Sequence, residues 1–298
     1  MASSNVSASS LFSVSGLVAV VTGGGTGIGF MITKALAANG ARRVYIIGRR
    51  QDKLEEAANA IDPNVVSPLQ GDVTDLESLL EISQTVESSI GYVNLVVANA
   101  GTMGPRPLKP PPGSTTLPSL AEYREHALKA PMQDFTQTCA VNTTAVHYTA
   151  LAFLNLLDEG NKKQNMGADW RSQIIATGSI GGFSRLSGAS FAYNSSKAAV
   201  THMMKMMSTA FVPYGIRCNV LAPGVFPSDI TNGIFTGQGD ARGEIKRFPR
   251  EMIPAGRAGT EEDIAGAILW MVGRAGSYLN GSVVVVDGGR LGTLISTY

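Results

Sequence analysis

Short runs of apolar, largely β-branched residues alternate along the chain with segments that carry a helical pattern of apolar positions. The runs cover 17–21, 44–47, 65–69, 95–98, 174–177, 217–221 and 283–286. They are almost wholly apolar rather than alternating, which is typical of strands covered on both faces, and the helical segments between them suit parallel crossovers. The pattern predicts a single α/β domain with a doubly wound, seven-stranded parallel sheet and helices on both faces.

Several segments depart from this regular alternation. The first 14 residues are rich in Ser and Ala, have no apolar period and are expected to form a flexible N-terminal tail ahead of one domain over 15–298. Proline-rich sequence at about 103–120 predicts an irregular insertion, because proline removes backbone donors from helices and strands. Glycines scattered through about 225–254 predict a lid over the substrate. Two long helices are expected at about 119–157, with breaks, and at about 191–212.

The composition disfavours several classes of function. The 298 residues include 24 Lys and Arg against 23 Asp and Glu, a net charge of +1, so nothing favours a nucleic acid or an anionic membrane as a partner. The chain starts without the pattern of a secretory signal and has no apolar run of about 18–20 residues, so we expect a cytoplasmic protein. Its three histidines are dispersed, without cysteines or carboxylates at metal-ligand spacing, and no metal site is expected.

A glycine-rich turn follows the first predicted strand and leads into a helix. It runs Thr22-Gly-Gly-Gly-Thr-Gly-Ile-Gly29, so five of its eight residues are glycines. Glycine allows a tight turn and a close approach of backbone to ligand, and the free N–H groups and dipole of the next helix can hold a pyrophosphate. The spacing differs from the strict G-x-G-x-x-G pattern, yet its place between a strand and a helix indicates a dinucleotide site.

The cofactor predicted for this site is NADP(H). In an NAD enzyme, a carboxylate about 20 residues beyond the glycines would bind the adenosine ribose. Arg49 and Arg50 stand there instead, at the end of the second strand. Their guanidinium groups suit the additional phosphate of NADP(H). The alternative is that both arginines are merely solvated residues ahead of the next helix.

A tyrosine and a lysine four residues apart open the second long helix. Tyr193 and Lys197 therefore lie on one helical face, with the phenol beside the ammonium group. The reference pKa of a phenol is about 10, and a neighbouring cation stabilises the phenolate, so the pair is suited to transfer one proton. A Tyr-x-x-x-Lys spacing arises easily by chance. Other motifs in the sequence are needed to assign a catalytic role to this pair.

Taken together, these motifs resemble the short-chain dehydrogenase/reductase family over about 17–292. The family's T-G-x-x-x-G-x-G, N-A-G and P-G motifs correspond to 22–29, 99–101 and 223–224, and its D-V and D-G-G motifs to 72–73 and 287–289. The resemblance implies a Rossmann fold and an NADP-dependent oxidoreductase acting on CH–OH/C=O groups. With the two arginines, the implied cofactor-binding residues are Thr22, Gly23, Gly25, Thr26, Gly27, Ile28, Gly29, Arg49, Arg50, Asp72, Val73, Asn99, Ala100, Gly101, Tyr193, Lys197, Pro223, Gly224, Val225 and Ser228.

The resemblance also implies a catalytic set. Tyr193 would protonate the carbonyl oxygen of a ketone, Ser179 would hydrogen-bond the same oxygen, and Lys197 would lower the pKa of Tyr193 and hold the nicotinamide ribose. Asn142 would fix a water that links Lys197 to bulk solvent. The separation of 14 positions between Ser179 and Tyr193 favours Ser179 for its role, with Thr177 as the alternative.

The substrate is expected at the carboxyl ends of the strands, in the loops after the fourth, fifth and sixth strands. Those loops favour a bulky, largely apolar ketone. The candidate contacts in these loops are Met103, Gly181, Phe183, Arg185, Leu186, Phe226, Ile230 and Phe235. The sequence also resembles a fungal subgroup of the family, which implies a 3-oxoacyl compound or an intermediate of secondary metabolism as the substrate.

Other interpretations stay open at this point. The same fold and cofactor could serve a non-redox or bifunctional biosynthetic step, such as a cyclisation, or a cofactor-sensing regulator. The two long helices would suit the four-helix contacts through which this family dimerises, so a homodimer or homotetramer is expected.

Overall fold

A computed structural model describes residues 5–108, 116–186, 190–228, 231 and 245–298. The substrate candidates Ile230 and Phe235 lie outside the described residues, as does much of the predicted lid.

The seven predicted strands form one parallel sheet. Each begins and ends within two residues of its predicted bounds. The strands are β1 (Val18–Thr22), β2 (Arg43–Gly48), β3 (Val66–Gln70), β4 (Leu95–Ala98), β5 (Gln173–Thr177), β6 (Arg217–Pro223) and β7 (Val283–Val286). Their order is β3-β2-β1-β4-β5-β6-β7, and every neighbouring pair is parallel. The predicted doubly wound sheet is therefore confirmed.

Helices cover both faces of the sheet. They are α1 (Ala8–Leu11), α2 (Gly27–Ala38), α3 (Gln51–Ile61), α4 (Leu76–Ile90), α5 (Leu120–Lys129), α6 (Met132–Cys139), α7 (Ala145–Ala152), α8 (Leu154–Lys163), α9 (Phe191–Ala210) and α10 (Glu261–Val272). Apolar side chains of α4, α7, α8 and α9 pack on one face of the sheet, and those of α2, α3 and α10 pack on the other. Because both faces are buried, the strands need apolar residues at every position, which explains their uniform composition.

The first predicted long helix is divided into several pieces. Pro131 carries no backbone N–H, and the residue before it, Ala130, is extended, so α5 ends at Lys129 and α6 starts anew. A π-helix, Ala140–Thr144, then joins α6 to α7. No residue of α5 is buried.

No helix among the described residues is long and apolar enough to cross a membrane.

A buried arginine joins elements at the amino-terminal end of the sheet. Arg217, the first residue of β6, is 7% exposed, and its guanidinium group donates hydrogen bonds to the carbonyl oxygens of Arg171, Gly276 and Leu279 at 3.0–3.2 Å. The same group lies 5.6 Å from the ring centre of Trp170. Burial lowers the pKa of Arg217 to about 10.

The C-terminal residues pair with the loop that follows β5. Ser184 and Ser296 form an antiparallel bridge, and the N–H groups of Arg185 and Thr297 donate to the carbonyls of Ile295 and Phe183 at 2.8 Å each. The aromatic ring of Phe183 meets that of Tyr298 edge to face at 5.2 Å. This loop therefore has a backbone partner that comes more than a hundred residues later in the chain.

Candidate active site

The strands end at a cavity of about 370 Å³ that runs across the carboxyl edge of the sheet. Segments after β1, β2, β3, β4, β5 and β6 line it, together with side chains from α6, the π-helix and α9. This is where a parallel sheet presents the ends of its strands to a ligand. Most of the cofactor-binding candidates lie around this one cavity.

The glycine loop is shaped by close backbone packing. A Cβ at Gly29 would overlap the carbonyl oxygen of Gly23, so the first turn of α2 can reach β1 only with glycine there. Gly23 has φ +65°, in the left-handed region that favours glycine. Thr26, the residue before α2, makes no side-chain capping bond, so the first N–H groups of the helix stay available to an anion.

Thr22 and Asn99 hold the loops after β1 and β4 together. The N–H groups of Asn99 and Ala100 both donate to Thr22 Oγ1 at 3.0 Å, and Asn99 Nδ2 donates to the Thr22 carbonyl at 3.0 Å. Asn99, Ala100 and Gly101 line the cavity, whereas Thr22 and Gly29 lie behind it. The structure thus gives Thr22 and Gly29 a supporting position.

The end of the cavity beyond β2 and β3 combines arginines with an acidic side chain. Arg49 and Arg50 are exposed at the end of β2 and line the cavity with Asp72 and Val73. Burial acts to raise the pKa of Asp72, but hydrogen bonds from the Thr74 N–H and hydroxyl and the charge of Arg49 lower it overall. Asp72 is therefore ionised at neutral pH, with its carboxylate already bound by Thr74.

Tyr193 and Lys197 lie at the other end of the cavity. Helix α9 starts with Ser190 as its cap, whose hydroxyl accepts the N–H of Tyr193 at 2.9 Å. Lys197 Nζ lies 5.8 Å from the centre of the Tyr193 ring and donates to the Thr177 carbonyl at 2.7 Å. Lys197 is buried, and this burial lowers its pKa to about 8.

The pKa of the Tyr193 phenol is raised above its ordinary value. Burial raises its pKa, and the hydrogen bond with Ser179 opposes this only in part. The net shift is therefore upward, and the expectation that Lys197 lowers the pKa of Tyr193 stays a prediction. Burial favours the neutral form of both groups, with Tyr193 half-buried at the cavity wall and Lys197 buried.

Ser179 and Thr177 differ in what their hydroxyl groups contact. Ser179 Oγ accepts the N–H of Gly181 at 3.0 Å and engages Tyr193. Thr177 Oγ1 instead donates to Asn99 Oδ1 at 3.0 Å. Both residues line the cavity, but of the two hydroxyl groups only that of Ser179 acts on the pKa of the phenol, which it lowers.

Asn142 is buried in the π-helix and does not line the cavity. Its Nδ2 donates to the Thr102 carbonyl at 2.9 Å and to Ser196 Oγ at 3.0 Å, and its Oδ1 accepts the Thr102 N–H at 2.8 Å. The Asn142 side chain therefore ties the loop after β4 to α9. Its expected role in fixing a water stays a prediction.

The remaining cofactor candidates are divided between the cavity wall and its surroundings. Gly25, Thr26, Gly27, Ile28, Pro223, Gly224 and Ser228 line the cavity, and Val225 does not. A Cβ on Gly224 would lie 2.7 Å from Asp287 Cα, so the chain can pass β7 only with glycine at this position.

Most of the described residues that were expected to contact the substrate do not line the cavity. Phe226 lines the cavity but is 2% exposed and packs against Gly259 in the hydrophobic core. The other described candidates lie outside the cavity wall: Met103, Gly181, Phe183, Arg185 and Leu186. Phe183 and Arg185 are instead engaged by the C-terminal residues.

Other cavity residues were missed by the sequence analysis. At the end that holds Tyr193 these include Thr102, Gln137, Val141 and Thr231; at the arginine end they include Lys53 and Leu54. The position of Thr102 directly after the N-A-G motif was a usable signal. Gln137 and Val141 offered none, because an exposed or half-buried helical residue carries no sign in the sequence of what it faces.

Comparisons with known proteins show the family of this chain. A family model described as Enoyl-(Acyl carrier protein) reductase matches residues 23–290. The chain is 47% identical to the short-chain dehydrogenase/reductase PhomF of Diaporthe leptostromiformis over 293 residues, which cover 98% of this chain and 97% of PhomF. The chain is a short-chain dehydrogenase/reductase. A second member of this family, VdtF of Byssochlamys spectabilis, is 38% identical and is covered to 98%, as is this chain.

A solved structure of the same family shows the same fold. The Pseudomonas aeruginosa RhlG/NADP active-site complex superposes with a TM-score of 0.76 at 27% identity, over 95% of this chain and 99% of that one. The predicted family and its fungal resemblance are confirmed. This short-chain dehydrogenase/reductase is an oxidoreductase acting on CH–OH/C=O groups, and its family uses NAD(P)(H).

Proposed function

We propose that this short-chain dehydrogenase/reductase reduces a ketone to a secondary alcohol with NADPH. The observation that carries the proposal is that one cavity has Ser179, Tyr193 and Lys197 at one end and Arg49 and Arg50 at the other. The catalytic groups therefore face the same space as the cationic groups that suit an additional phosphate.

The protonation states of the catalytic groups suit reduction. Because the pKa of Tyr193 is raised, its phenol carries a proton at neutral pH and can give that proton to a carbonyl oxygen. The Ser179 hydroxyl, hydrogen-bonded to the phenol, can stabilise charge that develops on the same oxygen. Lys197, with a pKa of about 8, is largely protonated at neutral pH and can replace the proton lost by Tyr193. NADPH, when bound, supplies the hydride.

Features of the cavity support NADP(H) as the cofactor. Gly29 lets the first turn of α2 pack against the Gly23 carbonyl, and the uncapped N–H groups of α2 suit a pyrophosphate. For NADP(H), Arg49 and Arg50 would hold the additional phosphate. RhlG, which is similar over nearly its full length, is solved as a complex with NADP, which supports this choice.

The cofactor preference is tested by Arg49→Asp. We expect this change to weaken NADPH binding by at least about tenfold while NADH binding changes little, because charge-assisted hydrogen bonds to phosphate are lost. Fluorescence titration of both cofactors measures the two dissociation constants. Equal losses for NADPH and NADH, or no loss, would remove the assignment to NADP(H).

The reaction is tested by following NADPH absorbance with 3-oxoacyl thioesters, bulky cyclic ketones and quinones. We expect Tyr193→Phe to lower kcat by about 10²- to 10⁴-fold with NADPH affinity nearly unchanged, because only the proton donor is lost. A Tyr193→Phe variant that stays active would overturn the assignment. NADPH binding without consumption of any ketone would instead favour a non-redox step or a cofactor-sensing regulator.

We propose further that the protein forms a homodimer or homotetramer. Large apolar side chains are exposed along neighbouring helices, on α6, α7 and α9, and a second copy would cover them. These side chains are Met132, Phe135, Tyr148, Leu151, Phe191 and Met206. Light scattering at micromolar concentration tests this proposal, and a monomer would contradict it.

A further inference from the structure

We propose that Thr102 and Gln137 form a polar subsite that recognises a second oxygen of the substrate, beyond the carbonyl that is reduced. This inference rests on the proposed ketone reduction and names the class of ketone. Both residues line the same cavity as Ser179 and Tyr193.

The first support is that both side chains have unused hydrogen-bonding groups. Within the part of the chain that the structure describes, neither the Thr102 hydroxyl nor the Gln137 amide makes a hydrogen bond. By contrast, the Thr177 hydroxyl in the same wall is bonded to Asn99. A hydroxyl and a primary amide each donate and accept, so both suit a carbonyl or hydroxyl oxygen.

The second support is that the backbone of both residues is held firmly. The N–H and carbonyl of Thr102 are both bonded to the side chain of buried Asn142, at 2.8 and 2.9 Å. Gln137 directly precedes Thr138, whose side chain is 1% exposed. Thr138 packs closely on Gly104, because a Cβ on Gly104 would overlap the hydroxyl of Thr138. With the backbone already fixed, binding a ligand orders only the side chains of these residues.

The third support comes from the other side chains at this end of the cavity. Of the described apolar side chains expected to contact the substrate, Met103, Phe183 and Leu186 lie outside the cavity and Phe226 lines it. Val141 is the apolar side chain next to Gln137 on its helical face. A wholly apolar ketone would leave the half-buried Thr102 hydroxyl without a partner once it displaced water, and it would offer no partner to the exposed Gln137 amide. A ketone with an ester, hydroxyl or second keto group would satisfy them.

The test compares two ketones of equal chain length. Ethyl 3-oxohexanoate and nonan-4-one place the ketone at the same position of a nine-atom chain, and only the former has further oxygens. Its ketone is also intrinsically more reactive, so the wild-type preference alone decides nothing. The informative quantity is the change in the ratio of the two kcat/KM values on substitution, in which intrinsic reactivity cancels.

We expect Gln137→Leu and Thr102→Val each to lower this ratio by about threefold to tenfold, the value of one neutral hydrogen bond. Gln133→Leu is the matched control, because Gln133 is exposed on the same helix one turn earlier and does not line the cavity. An unchanged ratio in both variants, or an equal change in Gln133→Leu, would overturn the subsite.

A failure of the proposed reduction is recognised separately. If the wild-type protein consumes neither ketone, the reduction is wrong for these compounds, and the subsite is judged from binding. The dissociation constants of both compounds are then measured by calorimetry on the NADPH-loaded wild type and on Gln137→Leu. A ratio of dissociation constants that Gln137→Leu leaves unchanged would overturn the subsite.

Discussion

Two cations are buried at opposite ends of the same sheet, and their surroundings differ. Arg217 lies at the amino-terminal end, where three carbonyl oxygens and the Trp170 ring surround its guanidinium group. Lys197 lies at the carboxyl end, where its ammonium group donates to the Thr177 carbonyl and, among the described residues, to no other atom. A buried charge that is bonded to several backbone carbonyls holds a structure together. One with unused donors, beside a cavity, is suited to bind a ligand and exchange a proton.

The sharpest way to test this contrast is to remove Lys197. We expect Lys197→Met to lower kcat by about 10²- to 10⁴-fold, because Tyr193 loses its source of protons. The free energy of unfolding should change by less than about 1 kcal/mol, since the lost bond to Thr177 is offset by removing a buried charge. NADPH consumption and urea unfolding measure the two quantities. Lys205→Met, an exposed lysine of the same helix, is the control. A Lys197→Met variant with wild-type turnover would contradict the catalytic role that distinguishes Lys197 from Arg217.

The converse substitution is Arg217→Met. It leaves the carbonyls of Arg171, Gly276 and Leu279 without their donor, so we expect the free energy of unfolding to fall by about 2–4 kcal/mol. At temperatures where the variant is folded, kcat should stay within about twofold of wild type. Urea unfolding checks this, with Arg274→Met as an exposed control that should cost less than about 0.5 kcal/mol. A loss of turnover without a loss of stability would show that Arg217 serves the site.

A smaller effect concerns pH. The pKa of Lys197 is about 8 in the folded protein and 10.5 for the free side chain, so between these values the unfolded chain binds more protons. Its contribution to stability therefore rises with pH, by about 1 kcal/mol between pH 8 and 9. Burial raises the pKa of Cys218 to about 12, which acts in the opposite direction from about pH 9.

The measurement for this pH effect is the difference in unfolding free energy between wild type and Lys197→Met at pH 7.5, 8, 8.5 and 9. Cys218 is present in both proteins and cancels. A difference that stays flat over this range would show that Lys197 is not buried as the structure has it.

The strands and the helix order could be predicted from the sequence because burial on both faces leaves a simple apolar pattern. The same holds for Tyr193 and Lys197, whose contact follows from helical spacing alone. The positions at which the helical segment 119–157 is broken were harder to predict from the sequence than the strands. Pro131 marks one break, but the π-helix at Ala140–Thr144 has no sequence signal of its own.

The wall of the substrate end could not be predicted, because it depends on contacts between distant residues. Phe183 follows β5 and was expected to face the substrate, yet it packs against Tyr298. Gln137 carries no motif, and its place in the cavity follows from how α6 packs against the loop after β4. Likewise, the pKa of Tyr193 depends on burial, which the spacing of Tyr193 and Lys197 does not reveal.

The pairing of the loop after β5 with residues 295–297 has a consequence for the order of folding. The Thr297 hydroxyl and the Phe183 carbonyl are separated by 114 positions in the chain, and β6, α10 and β7 all lie between them. Long-range closures of this kind are slow, because the chain loses much entropy before the contact forms. We therefore expect the loop that follows Ser179 to be among the last parts of the molecule to reach its native geometry, so that recovery of turnover lags behind recovery of helix signal during refolding.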